Sequence, residues 1–88
     1  MIITAIKDNK TGKFGMLNSI PQENMIERLI RLMFDGDNIY TRFPEDFAIY
    51  KIAEMDEETG KLKTEEWPVK LIEFSTIYGK KQIEEDKK

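Results

Sequence analysis

Two stretches of this chain share one chemical frame. Asp8-Asn9-Lys10-Thr11-Gly12-Lys13 and Asp56-Glu57-Glu58-Thr59-Gly60-Lys61 both read Asp-x-x-Thr-Gly-Lys. A Gly-Lys pair beside a hydroxyl is raw material for a phosphate-binding loop. Such a loop needs Gly-x-x-x-x-Gly-Lys-Ser/Thr between a strand and a helix, so that backbone N–H groups surround the phosphates. Here the first Gly is missing, Phe14 or Leu62 follows the lysine, and strand-like residues follow that. Asp, in contrast, caps a tight turn with its own carboxylate, and Gly takes the left-handed conformation that closes a hairpin loop. Both copies therefore read as the same hairpin turn used twice.

Little else in the sequence can do covalent chemistry. There is no histidine and no cysteine. That removes the usual general base, the commonest metal ligand, every Ser-His or Cys-His pair and any disulfide framework. Asp56, Glu57 and Glu58 cluster, but on a turn tip, where charge is ordinarily solvated, and without the Gly and ligand spacing of a calcium loop. The chain is expected to be no enzyme, with no metal and no cofactor. What remains is binding chemistry. Lys7, Lys13, Lys61 and Lys63 lie at corresponding ends of the two expected hairpins, and would form one basic rim if the hairpins pair side by side. Tyr50 and Arg42 sit beside Lys51 and Phe43. An exposed aromatic near a cation can stack a single-stranded base, although most aromatics of so small a domain belong to its core, and neighbours along a strand face opposite ways.

The elements that must position these residues follow from periodicity. Ile2 to Lys7 is β-branched and apolar, a first strand, and Lys13 to Leu17 forms its hairpin partner. Ser19-Ile20-Pro21-Gln22 offers a Ser cap, an early Pro and a Gln three residues on, so a helix is expected over 20–35. Met25, Ile26, Leu29, Ile30, Leu32 and Met33 fill one broad face of it, Glu27 and Arg31 can pair on the other, and Gly36 stops it. Residues 38–46 read as a loop around Pro44. Phe47 to Met55 and Lys61 to Thr64 form the second hairpin, and 69–77 reads as a short strand or a turn of helix, with strand preferred. The expected fold is α+β: a small antiparallel sheet of two hairpins in the order β-β-α-β-β, with one helix across one face. Residues 1–78 form one domain, and the nearly all-charged 79–88 is expected to fray.

Composition bounds the partners. The chain has 88 residues and a formal net charge of −3, so no strongly basic body draws it onto a polyanion. Charge is uneven: residues 1–20 carry Lys7, Lys10 and Lys13 against Asp8, a net +2, whereas residues 41–60 carry two cations against six carboxylates, a net −4. A domain this size buries only about 60–65% of its unfolded surface, which makes self-association an expected supplement. No apolar run approaches the ~18 residues of a membrane span, and Met1 to Ile6 is too short for a signal core.

One longer stretch is more specific. Phe43-Pro44-Glu45-Asp46-Phe47, leading through Ala48-Ile49-Tyr50-Lys51-Ile52-Ala53-Glu54-Met55 into the acidic turn Asp56-Glu57-Glu58-Thr59-Gly60, resembles the hallmark of the small non-structural proteins of gokushovirus-type microviruses. The opening strand with its Asp turn, and the Ile- and Arg-rich helix before the Pro-Glu-Asp segment, resemble that family too, over about residues 1–75. The resemblance implies a phage protein of the infected bacterial cytoplasm, absent from the capsid. Such proteins are labelled DNA-binding, or assigned to the switch from double- to single-stranded genome synthesis. It assigns no functional residues, and Pro44 to Phe47 also has an ordinary reading as a fixed loop with a core plug.

Two functions then compete. One is a non-enzymatic single-stranded DNA binder acting in phage genome replication, with Lys7, Lys13, Lys61, Lys63, Arg42 and Tyr50 as nucleic-acid contacts. The other is a protein-interaction module that holds a phage replication or host protein through the acidic middle, Glu45 to Glu58, and the open sheet face. A homodimer through an edge strand is expected in either case.

Overall fold

A computed structural model describes residues 1–79. Alternating and β-branched segments form four strands: β1 (Ile2–Asp8), β2 (Lys13–Ile20), β3 (Phe47–Met55) and β4 (Leu62–Glu73). They make one antiparallel sheet in the order β2-β1-β3-β4. Each hairpin occupies half of it, joined through the β1–β3 ladder, where Asp8 faces Phe47 and Ile2 faces Glu54. Because β2 and β3 run parallel with β1 between them, their connection must cross the sheet face, and helices make that crossing.

The helices gather on one face. α1 (Ile26–Phe34) buries Ile26, Ile30 and Phe34. These pack with Ile2, Ile6, Ile20 and Ile49 from the sheet and with Phe74, Ile77 and Tyr78 from a last helix, α3, over 74–79. Phe74 is completely buried. Its ring meets Phe34 edge-on at 5.5 Å and stacks on Tyr40 at 5.3 Å. The α+β architecture and the helix across one sheet face stand as expected.

Three expectations are corrected. The helix begins at Ile26, after a short 3-10 turn at Glu23–Met25, not at residue 20. Ser19 and Ile20 instead extend β2 opposite Ile3 and Ile2, and Ile20 is buried. A continuing ladder with a core side chain outweighs the local Ser-Pro capping signal, and Pro21 ends the strand. Gly36, with φ of 111°, stands just beyond the end of α1 as expected. Residues 38–46 are not a plain loop. Asn38 caps a single-turn helix, α2 (Ile39–Arg42), by accepting from the Tyr40 and Thr41 N–H groups, and Pro44–Asp46 forms a 3-10 turn. Finally, there is no fifth strand among the described residues. The segment 62–73 is one strand interrupted by a bulge, since β3 pairs with Thr64 and then with Val69, and 74–79 is helical. The expectation about the charged tail falls on residues 80–88, beyond Gly79 and outside the described residues.

Candidate functional site

Both Asp-x-x-Thr-Gly-Lys segments are turns of one geometry. The Asp8 carboxylate accepts from the Lys10 and Thr11 N–H groups at 2.9 and 3.4 Å, and Asp56 accepts from Glu58 and Thr59 at 2.9 and 3.3 Å. The Gly12 and Gly60 N–H groups each reach the carbonyl of the turn's own Asp at 2.7 Å. The two glycines have φ of 73° and 76°, a region where a Cβ is costly. The N–H groups that a phosphate loop would aim at a ligand are thus closed on the turn itself.

The lysines do not form one rim. β1 and β3 are antiparallel, so the two turns lie at opposite ends of the sheet. Lys7 and Lys13 lie at one end. Lys61 and Lys63 lie at the other, around a shallow pocket of about 510 Å³ beside Met1, Glu54 and Asp56. The rim required the hairpins to pair with their tips together, and the ladder pairs them head to tail. Arg42 is held elsewhere as well. Its guanidinium forks onto Asp37 at 2.6 and 2.9 Å, which holds the Asp37 carboxyl below its ordinary range.

Two of the six expected residues do meet. Cross-strand partners share a sheet face. Lys7 lies opposite Phe14 on β2 and Ala48 on β3, Ala5 lies opposite Tyr50, and Tyr50 lies opposite Lys70 on β4. This row runs across all four strands on the face away from Ile6 and Ile49, and no described helix covers it. Ala5 and Ala48, both buried, form the floor between the longer side chains. Phe14 and Tyr50 meet edge-on at 5.2 Å. Lys7 Nζ lies 5.6 Å from the Phe14 ring centre and 5.7 Å from that of Tyr50. Lys7 has no carboxylate partner among the described residues. Lys70 Nζ bonds Glu73 at 3.0 Å, a hydrogen bond that, with the charge behind it, raises the Lys70 pKa and keeps it protonated.

Phe14 and Lys70 were missed by sequence reasoning. Alternation along β2 opposite Lys7 could have found Phe14. Lys70 required the register across the β4 bulge, which no local pattern supplies. The opposite face at the same end carries a second feature, a pocket of about 340 Å³ lined by Ile6, Lys13, Phe14, Met16, Ile39 and Tyr40 among others.

The arrangement can stack planar rings and attract anions. It offers no nucleophile–base pair, and no group of three or more carboxylates among the described residues could hold a metal. No described helix is long and apolar enough to cross a membrane. In comparisons with known proteins, the model of a family described as Phage ORF5 protein matches residues 1–77, which takes in the whole sheet and all but the end of α3. No curated protein and no solved structure matches the chain.

Proposed function

We propose that this chain, which belongs to the Phage ORF5 protein family, is a non-enzymatic binder of single-stranded DNA that acts during phage genome replication through the open face of its sheet. The observation that carries the reading is Lys7 poised within 6 Å of both the Phe14 and Tyr50 rings on a face that no described helix covers. Bases stack on the two rings, and Lys7 and Lys70 meet the phosphates. Stacking needs no sequence readout, because every base has a π-face, and each stacked base contributes about 1–3 kcal/mol. Removing either ring therefore weakens binding roughly 5- to 150-fold.

The net charge of −3 confines the attraction to this patch. These two phosphate contacts give a slope of log K against log salt of about −1.4 for a single strand. The resemblance to gokushovirus-type non-structural proteins supports the host cytoplasm as the place of action. The test is fluorescence anisotropy of a labelled oligonucleotide at low and near-physiological salt. Micromolar, salt-sensitive binding that falls with Phe14→Ala and Tyr50→Ala, with duplex bound less well, upholds the reading. No binding at low salt, or binding indifferent to both substitutions, sinks it and leaves the protein-interaction module.

A further inference from the structure

The pocket of about 340 Å³ beside the first hairpin has walls suited to a planar ring. Ile6, Ile39, Tyr40 and Phe47 give it an apolar and aromatic lining, and Ile39 is 53% exposed, so the chain itself does not cover that wall. Met16 closes another side. Gly15 pairs with Ile6 and shares its face, so alternation would put Met16 on the opposite, open face. Its φ of 47° and the bulge opposite Ala5 turn it over the pocket instead, where the Tyr40 hydroxyl meets its sulfur at 3.8 Å. A bulge that re-aims a side chain, held in a costly conformation, is a recurrent way to shape a ligand wall.

We propose that this pocket takes one base of the single strand, a site that rests on the single-strand reading and extends it around the β2 edge. Phe14 belongs to both surfaces: its ring meets Tyr50 on the open face, and it lines the pocket. Lys7 lies opposite Phe14 on the open face, and Lys13, the neighbour of Phe14 along β2, lies on the pocket face opposite Asp8. The two cations thus flank Phe14 from the two faces, and a strand that leaves Lys7 meets Lys13 as it rounds the edge. Among the described residues β2 is an outer strand, and it carries no carboxylate from Lys13 to Ile20 to repel phosphates on that route.

The polar groups at the mouth suit a nucleotide. Among the described residues Lys13 has no ion pair, so its charge is free for a phosphate. The Asp8 carboxylate opposite it is occupied by the turn N–H groups. Thr11 accepts from the Lys13 N–H at 3.2 Å and keeps its own proton to donate, and the Tyr40 hydroxyl meets a sulfur, a weak acceptor. A base stacked between apolar and aromatic walls, with its edge on hydrogen-bonding groups, is the arrangement of proteins that take a base out of a strand. An aromatic side chain of a partner protein would leave Lys13 and at least one hydroxyl unused.

Gly15→Leu is the decisive variant. Gly15 lines the pocket, takes no positive φ, and a Cβ there meets nothing within 4 Å. The substitution fills the mouth without straining the strand and leaves Lys7, Phe14 and Tyr50 in place. In the methyl-labelled full chain, deoxyadenosine monophosphate is expected to shift the Met16 and Ile39 resonances saturably, and inorganic phosphate is not. Gly15→Leu abolishes these shifts. Lys13→Gln removes the advantage of the monophosphate over deoxyadenosine and leaves binding of the nucleoside unchanged. With a labelled oligonucleotide at low salt, Gly15→Leu weakens binding at least about fivefold, the loss of one stacked base. Met16 and Ile39 resonances that ignore the nucleotide, or that move equally in Gly15→Leu, overturn the pocket. Oligonucleotide binding that Gly15→Leu leaves untouched sinks this site alone and leaves the open face standing. An oligonucleotide that fails to bind the unsubstituted chain sinks the single-strand reading and this site with it.

Discussion

The two hairpins share a turn and little else. Asp8 and Asp56 make the same pair of N–H contacts to within 0.1 Å, and Gly12 and Gly60 differ by 3° in φ. Their surroundings differ at every level. The first turn is docked against the Pro44–Asp46 segment: the Asn9 N–H reaches the Asp46 carbonyl at 2.8 Å, and Lys10 approaches the Asp46 carboxylate at 3.5 Å. The second stands beside the chain start, where the Met55 N–H reaches the Met1 carbonyl at 2.8 Å. Beyond the turns, β2 carries no charge from Phe14 to Ile20, whereas β4 carries charges of both signs around Pro68. A six-residue motif thus specifies a loop and not a role. The strands it joins, and their neighbours in the sheet, specify the role.

The sharpest test of the shared turn is at its glycines. Gly12→Ala and Gly60→Ala each force a Cβ into the left-handed region, and space is free around both. Each is expected to lower stability by about 1–2 kcal/mol from conformation alone. Urea midpoints that differ between the two by more than the measurement error would break the equivalence. At the aspartates the contexts should begin to show. Removing either carboxylate strands two turn N–H groups and costs about 1 kcal/mol. Asp8→Ala is expected to exceed Asp56→Ala slightly, because the first turn also holds a docked segment; thermal melts of the pair read the difference.

Both outer strands bulge, but a residue of β2 takes a positive φ and none of β4 does. Ala5 of β1 faces both Met16 and Leu17, and Met16 takes a φ of 47°, which a non-glycine residue adopts at a cost. Met16→Gly relieves that conformation and is expected to stabilise by about 0.5 kcal/mol, whereas Val69→Gly in β4 destabilises. Equal signs in denaturant titrations would show that the bulge carries no strain.

The smallest effect is electrostatic and confined to the second hairpin. Lys51 hydrogen-bonds Glu54 at 2.8 Å, which lowers the Glu54 pKa below 4.5 and raises that of Lys51 above 10.5. The Glu54 contribution is therefore full above pH 4.5 and disappears as pH falls through its lowered pKa. The Lys51 contribution is full below 10.5 and disappears as pH rises through its raised pKa. Glu54→Gln should flatten the acid limb of the stability profile slightly. An unchanged acid limb would show that the pair contributes nothing measurable, as surface pairs often do.

What residue types alone dictate in this protein is local. The two turns, β1, β3, the stop at Gly36, the absence of His and Cys chemistry, and the α+β class were all legible in residue types and short periods, because turn conformation and amphipathicity depend on neighbours a few positions away. The helix start was not, since pairing of Ser19 and Ile20 with β1 is a contact to residues 16 or more positions distant. The true cluster was not either. Lys7, Phe14, Tyr50 and Lys70 come from four strands, and they meet only because β1 lies beside β3 in antiparallel register and β4 bulges by a defined amount. The same register sent the second pair of lysines to the far end of the sheet. Side-chain alternation has a period of two, so strand order and register decide which residues share a surface, and both are set by long-range packing of the sheet on α1 and Phe74.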